Sequence, residues 1–457
     1  MDITSPAELA EITAAPMPAH RDEWEERLLA DTELLGRIAA AVDGAFHVLY
    51  PPRIVANIRA FQDTFTRFGV NGRIYYGKKA NKGASVVRAC RTAGAGVDVA
   101  SVGEFQASLG DGIAGTDLVV TGPAKSDALL ALAAREGALI AIDGLDELDH
   151  LHAIVAAVAA AGHQVTARIL LRALPPESHS RFGLTGAELD LAVKRVDPNA
   201  ISLEGFSFHL SGYRPIARAE LAAALIPRCL EARGLGHRAD TLSIGGGFGV
   251  DYVPEAAWRT FLDGVNPRWF HGNRAPAPDS YYPYHCPEPG ADMLAAILRY
   301  DDLGDRLRES DITLAIEPGR ALLDRAGSTV FTVQGRKTRT AHGFDYQILT
   351  VNGTSLSLSE QWFNTEYLPD PALWPRHTGD MTPACVGGAS CLEDDMLSRR
   401  RIPLPRPAEI GDLLIYPNTA GYQMDSNESA FHDLPIPPKV ELSAADGSAQ
   451  LGWRFDR

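Results

Sequence analysis

The stretch Arg73-Ile74-Tyr75-Tyr76-Gly77-Lys78-Lys79-Ala80-Asn81-Lys82 decides the fold. It predicts a short buried strand, Arg73 to Lys79, followed by helical sequence from Ala84 to Ala93. A lysine at the carboxyl end of a barrel strand is well placed to lose its proton and form a Schiff base, because that edge of a barrel carries the chemistry. Taken alone, Lys78, Lys79 and Lys82 would more often be surface charges on a loop, and the rest of the chain decides against that interpretation.

Length, charge and cysteine usage limit the class of protein. The chain has 457 residues and a net charge of −15. This length favours two domains, and the negative charge argues against nucleic acid or a membrane surface as a partner. The five cysteines are scattered without paired metal-binding spacing, so we expect no metal site and a reduced, cytoplasmic protein. No secretory leader and no membrane-spanning apolar run is visible.

Strand and helix signals alternate through most of the chain. Helices such as Ser126 to Glu136 and Leu145 to Ala161 separate eight candidate strands, the number that a closed parallel (β/α)8 barrel needs. A doubly wound open sheet would give the same alternation. The candidate strands are Arg73 to Lys79, Gly96 to Ala100, Asp117 to Thr121, Ala138 to Asp143, Val165 to Arg172, Ser202 to His209, Thr241 to Gly245 and Thr313 to Glu317.

Polar residues lie where these strands end, and this favours the barrel. Barrel enzymes place their chemistry at that rim, and often bind a phosphate in the loops after strands seven and eight. Those two loops carry Gly245-Gly246-Gly247-Phe248-Gly249 and Glu317-Pro318-Gly319-Arg320. The other polar residues at strand ends are Lys79, Asp98, Ser101, Glu104, Arg172 and His209.

The sequence predicts three segments with different patterning. Residues 1–50 are helical and then form a strand that contributes to a second domain. Residues 51–322 form the barrel, with an insertion at about 252–290 that is either a substrate-shaping excursion near the rim or a surface decoration. Residues 323–457 form a mainly β domain, with candidate strands Ser328 to Lys337, Tyr346 to Asn352, Asp412 to Tyr416 and Lys439 to Leu442.

The two glycine-containing loops predict an anion site. Glycines let backbone N–H groups approach an anion without interference from side chains, and Arg320 supplies a fixed fork of donors for a phosphate. Glu317, at a strand end, needs a cationic or proton-donating partner when it is buried, and a protonated pyridine nitrogen meets that need. His209 ends an apolar strand, where it is either a core residue or a flat ring that stacks on an aromatic cofactor.

These motifs together resemble the fold-type III pyridoxal-phosphate decarboxylases, the family of the ornithine, diaminopimelate and arginine-type enzymes. The resemblance implies pyridoxal 5'-phosphate as cofactor, a two-domain fold of barrel and β domain, and a homodimer with shared active sites. The motifs that carry it, over about residues 46 to 442, are YYGKKAN, GVDVASVGE, SRFGL, FHL, GGGFG, EPGR, GGASCLEDDML and AGYQM.

The resemblance also implies roles for single residues. Lys79 aligns with the Schiff-base lysine because it directly precedes Ala80-Asn81. His209 would stack on the pyridine ring, and Glu317 would keep the ring nitrogen protonated. Cys391, delivered from the other subunit, would return a proton after carbon dioxide leaves. The further cofactor-binding residues implied are Asp98, Arg172, Gly246, Gly247, Gly319, Arg320 and Tyr422.

The chain departs from the family pattern in three places. The family's His-x-Gly-Ser stands here as His209-Leu210-Ser211-Gly212, which leaves open whether Ser211 reaches the phosphate. The residue after the family's cysteine is usually acidic and binds the substrate's distal ammonium, but here it is Leu392, which cannot pair with a cation. The insertion offers other substrate contacts. The candidate substrate-binding residues are Leu392, Asp395, Arg274 and Tyr282, with Arg268, Tyr281 and His285 as further contacts.

We therefore expect an amino-acid decarboxylase whose substrate is a masked, acylated or carboxylate-bearing diamino acid. Siderophore and natural-product decarboxylases, which the segment from Asn418 to His432 also resembles, use such substrates. The nearest alternatives are a diaminopimelate or ornithine-type decarboxylase and an amino-acid racemase on the same fold. Cys391 with Asp395 favours decarboxylation over racemisation. A catalytically silent homologue is a third alternative, and the presence of both Lys79 and Cys391 argues against it.

Overall fold

The computed structural model describes residues 11–162, 165–277, 281–359, 366–426, 429–444 and 450–457. Its internal contacts divide the chain into two units. The barrel unit comprises Ile54–Gly249 and Glu288–Leu322, and the sheet unit comprises Met1–Arg53, Val250–Pro287 and Leu323–Arg457.

The strands and helices of the described residues follow in chain order. The strands are β1 Phe46–Leu49, β2 Gly72–Gly77, β3 Gly96–Val99, β4 Leu118–Val120, β5 Leu139–Ile142, β6 Ala167–Arg172, β7 Ile201–Ser207, β8 Thr241–Ser243, β9 Thr313–Ile316, β10 Gly327–Ala341, β11 Phe344–Val351, β12 Ala372–Trp374, β13 Thr382–Gly387, β14 Met396–Leu404, β15 Leu413–Tyr416, β16 Lys439–Ala444 and β17 Leu451–Phe455. The helices are α1 Glu23–Ala30, α2 Leu34–Val42, α3 Pro51–Phe68, α4 Ala84–Thr92, α5 Val102–Gly110, α6 Asp127–Arg135, α7 Leu145–Ala160, α8 Gly186–Arg195, α9 Pro215–Gly234, α10 Glu255–Gly264, α11 Ala291–Arg299 and α12 Leu303–Glu309.

Strands β2 to β9 form a closed barrel in which neighbouring strands run parallel. The ring closes where β2 pairs with β9, with Ile74 beside Ile316. The strands are short and apolar, and β5 is buried along its whole length, as a parallel sheet covered on both faces requires. The predicted (β/α)8 barrel is confirmed, and the doubly wound open sheet is wrong because such a sheet has two unpaired edges.

Most of the predicted strands extend too far at their carboxyl ends, while the one predicted to end at Arg172 does end there. Strand β2 ends at Gly77, and Lys79 lies in a 3-10 turn, Lys78–Ala80, that follows it. The turn closes with a hydrogen bond of 3.1 Å from Asn81 N to Lys78 O. In the same way β7 ends at Ser207, two residues before His209. Lys79 and His209 thus lie in the loops that follow their strands, whereas Arg172 is the last residue of β6.

Two of the polar residues expected at the rim cap a helix instead. Ser101 Oγ accepts a hydrogen bond of 3.1 Å from Glu104 N, and the Glu104 carboxylate accepts one of 2.8 Å from Ala100 N. This reciprocal pairing satisfies backbone donors at the start of α5. Ser101 and Glu104 therefore position the loop after β3, while Asp98 remains within that strand.

Strand β7 contains an irregular position that only glycine fits. The register against β6 shifts between Ile169 and Leu170, opposite Gly205. Gly205 has φ of +146°, and a Cβ at this position would lie 1.8 Å from Thr241 O. The close approach of the two backbones sets the direction in which β7 leads into His209.

The sheet unit is a nine-stranded sheet whose main path is β14-β13-β11-β10-β1-β16-β17, with β15 paired to β10 and β12. Strand β1, from the N-terminal segment, pairs antiparallel with β10 and parallel with β16. This is the segment that the sequence analysis expects to contribute a strand to the second domain. The hydrophobic core of the sheet unit includes Trp24, Leu28, Ile38, Phe46, Val48, Val330, Ile415, Val440 and Leu442.

The described part of Val250–Pro287 belongs to the sheet unit, although the sequence places this segment as an insertion inside the barrel domain. Tyr252 N donates to Tyr284 O at 2.8 Å. Phe270 forms an isolated antiparallel bridge with Arg400 of β14, and the rings of Tyr284 and Tyr367 meet edge to face at 5.6 Å. The insertion is therefore ordered by the β sheet that follows it in the chain.

No helix in the described part of the chain is long and apolar enough to cross a bilayer. The cytoplasmic location stays a prediction.

Replacing Gly205 by alanine is expected to lower the free energy of unfolding by about 2 to 4 kcal/mol, because the new Cβ collides with backbone and the positive φ becomes strained. Urea denaturation measures the change. Gly234→Ala is the matched control, since nothing lies within 4 Å of a Cβ added there. A Gly205→Ala protein within about 0.5 kcal/mol of wild type would show that this close approach is unimportant.

Candidate active site

A cleft of about 280 Å³ opens at the carboxyl ends of the barrel strands. It brings together four of the residues that the sequence singled out, namely Lys79, Arg172, His209 and Glu317. The full lining is Lys79, Ala100, Thr121, Gly122, Pro123, Ala141, Arg172, Phe182, Ser207, Phe208, His209 and Glu317.

The structure separates the two adjacent lysines that follow β2. Lys78 is buried, at 2% exposure, whereas the side chain of Lys79 is 62% exposed and lines the cleft. Lys79 Nζ lies 4.0 Å from Asp98 Oδ2. Asp98 is buried, and its Oδ1 accepts a hydrogen bond of 2.6 Å from Thr121 Oγ1. An amine that can react with a ligand in the cleft is therefore that of Lys79.

Glu317 is a carboxylate in an unfavourable setting. Its Oε1 accepts a hydrogen bond of 2.6 Å from Ser243 Oγ. Burial and, after it, the nearby negative charge of Asp98 raise the pKa of Glu317 to about 7, although the Ser243 hydrogen bond and the charges of Lys79 and Arg172 lower it. A ligand that presents a cationic N–H to this carboxylate would hold it ionised. The protonated nitrogen of a pyridine ring fits that requirement.

His209 faces the cleft with a neutral ring. Although the residue opens onto the cleft, the walls around the imidazole desolvate it, and with the charges of Lys79, Arg172 and Arg218 they lower the pKa of His209 to about 4. Gly246 N donates to Nδ1 at 3.4 Å, so the ring proton belongs on Nε2. A neutral imidazole can stack on a protonated pyridine ring without charge repulsion.

The glycines of the loop after β8 have no room for a side chain. A Cβ on Gly245 would lie 2.7 Å from His209 Nδ1, and one on Gly246 would lie 2.6 Å from Glu317 O. Gly247 has φ of +80°, and a Cβ there would lie 2.1 Å from an Arg218 nitrogen. We call Gly245–Gly247 together with Gly319 and Arg320 the phosphate cradle, after the anion that the sequence analysis predicts for these residues. Arg320 is buried at the start of the 3-10 helix that follows β9.

Arg172 is held by residues that the sequence analysis gave no role. Its Nη1 donates to Asp143 Oδ1 at 3.1 Å, and its guanidinium lies 4.6 Å from the centre of the Phe182 ring. Asp143 Oδ1 also accepts from Gly183 N at 3.2 Å. Asp143 directly follows a barrel strand, so the rule that selected the other rim residues could have found it.

A buried ion pair beside the cleft was also missed. Lys125 Nζ lies 3.0 Å from Glu147 Oε2 and donates to the carbonyls of Gly122 and Ala141, which line the cleft. Burial lowers the pKa of Lys125. Nothing in the local sequence separates this lysine from a surface lysine, because its partner is 22 residues away.

In the sheet unit, Cys391 lies at the surface beside a histidine. Cys391 Sγ is 3.1 Å from His432 Nε2, and Cys391 N donates to the same nitrogen at 3.4 Å. The other four cysteines are buried or half-buried. His432 ends the segment that the sequence analysis quoted, of which Asn427 and Glu428 lie outside the described residues. The contact gives Cys391 a base that the sequence could not assign to it.

The predicted substrate-binding residues have different settings. Leu392 is 39% exposed. The carboxylate of Asp395 is buried and accepts from Ser355 N at 2.7 Å and Ser390 N at 3.1 Å, which are the contacts of a residue that holds a loop. Arg274 lies 3.6 Å from Asp394 with 67% of its side chain exposed. The rings of Tyr282 and Tyr284 meet edge to face at 5.6 Å. Tyr422, a predicted cofactor contact, has a left-handed backbone with φ of 75°.

Residues 52–267 match the family model described as pyridoxal-dependent decarboxylase, pyridoxal binding domain. The uncharacterized protein y4yA of Sinorhizobium fredii is 36% identical over 446 residues, which is 95% of each chain. The diaminopimelate decarboxylase of Deinococcus radiodurans is 25% identical over 376 residues, covering 82% of this chain and 85% of that one. Diaminopimelate decarboxylase from M. jannaschii, solved in co-complex with L-lysine, shares the fold with a TM-score of 0.72 at 17% identity, covering 93% of this chain and 91% of that one.

Glu317→Gln is expected to stabilise the cofactor-free protein at high pH only. The folded pKa of Glu317 is raised from 4.5 to about 7, so the folded protein keeps a proton that the unfolded chain releases. Its stability therefore falls as the pH rises through that window. The difference between variant and wild type should grow by roughly 1 to 3 kcal/mol between about pH 5 and pH 8.

Urea unfolding of both proteins at each pH measures this difference. Glu25 and Glu366, whose pKa values burial also raises to about 7, titrate in both proteins and cancel. Identical pH profiles for the two proteins would contradict the raised pKa of Glu317.

Iodoacetamide is expected to label Cys391 before the other cysteines, and His432→Ala should slow that labelling several-fold because the imidazole can accept the thiol proton. Peptide mass spectrometry at about pH 7.5 gives the rates. His377→Ala, which removes an exposed histidine of the same unit, is the control. Unchanged labelling in His432→Ala would show that the contact does not activate the thiol.

Proposed function

The chain belongs to the pyridoxal-dependent decarboxylase family of the diaminopimelate and ornithine type, and pyridoxal phosphate is its cofactor; we propose that its substrate is a diamino acid whose distal amine is acylated or otherwise masked, with or without a distal carboxylate. The observation that carries the proposal is that Leu392 stands at the position where the family usually has an acidic residue, while Arg274 lies 3.6 Å from Asp394, two residues further along the chain.

The residues of the cleft fit the cofactor. When bound, pyridoxal phosphate supplies an electron sink for the bond to the departing carboxylate. Lys79 is the residue proposed to hold it covalently, since its amine faces the cleft. Gly246, Gly247, Gly319 and Arg320 are proposed to bind its phosphate. Asp98, Ser211 and Tyr422 remain proposed cofactor contacts from the family resemblance.

Glu317 and His209 are proposed to contact the cofactor ring in two different ways. The carboxylate of Glu317, once ionised, would keep a ring nitrogen protonated, and the hydrogen bond from Ser243 fixes its direction. The neutral ring of His209 would cover one face and exclude water. Arg172 is held by Asp143 and Phe182 at the wall of the cleft, where its charge balances one carboxylate.

Cys391 is the proposed proton donor after loss of carbon dioxide. Its thiol is exposed in this chain and lies 3.1 Å from His432, which can restore the proton after each turnover. We propose that a second copy of the chain delivers this cysteine, so that the working form is a homodimer with shared active sites. The exposure of Cys391 and Leu392 in the single chain supports this arrangement.

The chemistry around Leu392 supports a substrate without a free distal ammonium. A leucine cannot compensate a buried cation, and leaving one unpaired is costly. Asp395 is buried with backbone N–H partners, and Asp394 faces Arg274 and Arg399. A mostly exposed Arg274 beside this loop is a suitable partner for a distal carboxylate. Such masked or carboxylate-bearing diamino acids would place the enzyme in a siderophore or natural-product pathway.

A panel of amino acids, read by mass spectrometry for loss of carbon dioxide, tests the substrate class. Diamino acids whose distal amine is acylated or otherwise masked are expected to exceed free ornithine and meso-diaminopimelate by about 10-fold or more in kcat/KM, because the latter two keep a distal ammonium that Leu392 cannot compensate. Lys79→Ala should be inactive on all of them. Ordinary enzyme rates on ornithine or meso-diaminopimelate would overturn the proposed substrate.

Two arginine variants separate the roles within this proposal. Arg274→Gln should raise KM for a carboxylate-bearing substrate by roughly 10-fold. Arg336→Gln, which removes an exposed arginine paired with Glu409 in the same unit, should leave KM unchanged. Equal effects of the two variants would exclude Arg274 as a substrate contact.

A further inference from the structure

The guanidinium of Arg218 is buried directly behind the phosphate cradle. Arg218 lies in the first turns of helix α9 and is fully buried. Its nitrogens donate to four backbone carbonyls: those of Leu210 at 2.8 Å, Gly212 at 2.7 Å, Gly246 at 3.2 Å and Arg214 at 3.2 Å. One cation thus joins the loop after β7 to the loop after β8.

This cation has no carboxylate partner within 4 Å among the described residues, and its contacts there are with carbonyl oxygens. Burial lowers the pKa of Arg218 to about 10, which reflects the cost of holding the charge there. The start of a helix carries partial positive charge, so position 218 is unfavourable for a second positive charge. Both features would be compensated by one anion nearby.

The carbonyls that Arg218 binds also set the direction of the neighbouring N–H groups. In a trans peptide the C=O and the next N–H point to opposite sides. With the carbonyls of Leu210 and Gly246 turned towards Arg218, the N–H groups of Ser211 and Gly247 face the other way. Among the described residues neither of these two N–H groups has an acceptor. Two outward N–H groups backed by a cation form a suitable site for a phosphate.

We propose that Arg218 is a positioning residue of the phosphate site, which fixes both loops with their N–H groups outward and supplies the permanent positive charge behind them. The proposal rests on pyridoxal phosphate being the ligand of the cleft. It explains why Gly247 cannot carry a side chain, since a Cβ there would lie 2.1 Å from Arg218 Nη2. It also accounts for a buried arginine that no substrate needs to touch.

The test compares two ligands that differ only in the phosphate. The affinities of the cofactor-free protein for pyridoxal phosphate and for pyridoxal are measured by the absorbance of the bound form, in wild type and in Arg218→Met, which keeps most of the side-chain volume. Arg218→Met should weaken the binding of pyridoxal phosphate by about 10- to 100-fold and the binding of pyridoxal by less than about 3-fold. Arg228→Met, which removes a partly exposed arginine of the same helix, is the matched control.

Each other outcome has a distinct meaning. If the variant bound both ligands more weakly by the same factor, or bound both as tightly as wild type does, the proposal would be overturned. Wild-type protein that bound neither ligand would instead overturn the proposed function. If Arg218→Met does not fold, Arg218→Lys replaces it, because lysine keeps the charge but cannot reach four carbonyls. That variant should lower the preference for pyridoxal phosphate over pyridoxal several-fold, and an unchanged preference would refute the role of Arg218.

Discussion

The carboxylate of Glu317 is the group on which the site depends. It is held at the barrel rim by Ser243, and its burial, together with the nearby carboxylate of Asp98, raises its pKa to about 7. Two close carboxylates cannot both ionise cheaply without cations. Lys79 and Arg172 supply part of the compensation from other strand ends. The cleft therefore has an unmet need for one more cationic donor at Glu317, and a protonated heterocycle supplies it.

Barrel closure explains why so much of this site could be read from the sequence. Eight parallel strands bring their carboxyl ends to one rim, so a polar residue at the end of any apolar run is directed to the same place. Lys79, His209 and Glu317 were found in this way and line one cleft. The strand boundaries were less accurate, because a 3-10 turn after β2 looks like a continuing strand in sequence.

The sheet unit was less predictable, for a physical reason. Strand β14 contains three consecutive arginines, and Arg400 and Arg401 are nevertheless buried. Arg400 pairs with Asp370 and donates to Leu368 O, while Arg401 donates to Arg268 O. Charged residues are normally solvated, so the sequence of this strand does not reveal that most of it is buried. The partners that make burial possible are distant in sequence and become visible only in the folded chain.

Arg218 bears on the departure of the chain from the family's His-x-Gly-Ser pattern, which stands here as His209-Leu210-Ser211-Gly212. The order Ser211-Gly212 places glycine where the backbone is left-handed, with φ of +76°, and where a carbonyl must turn to Arg218. A serine at position 212 would be strained in that conformation. The exchange of the two residues is thus a consequence of how the loop is anchored. An anion bound there would be recognised chiefly by backbone N–H groups and by buried charge, and the exposed Ser211 side chain need not take part.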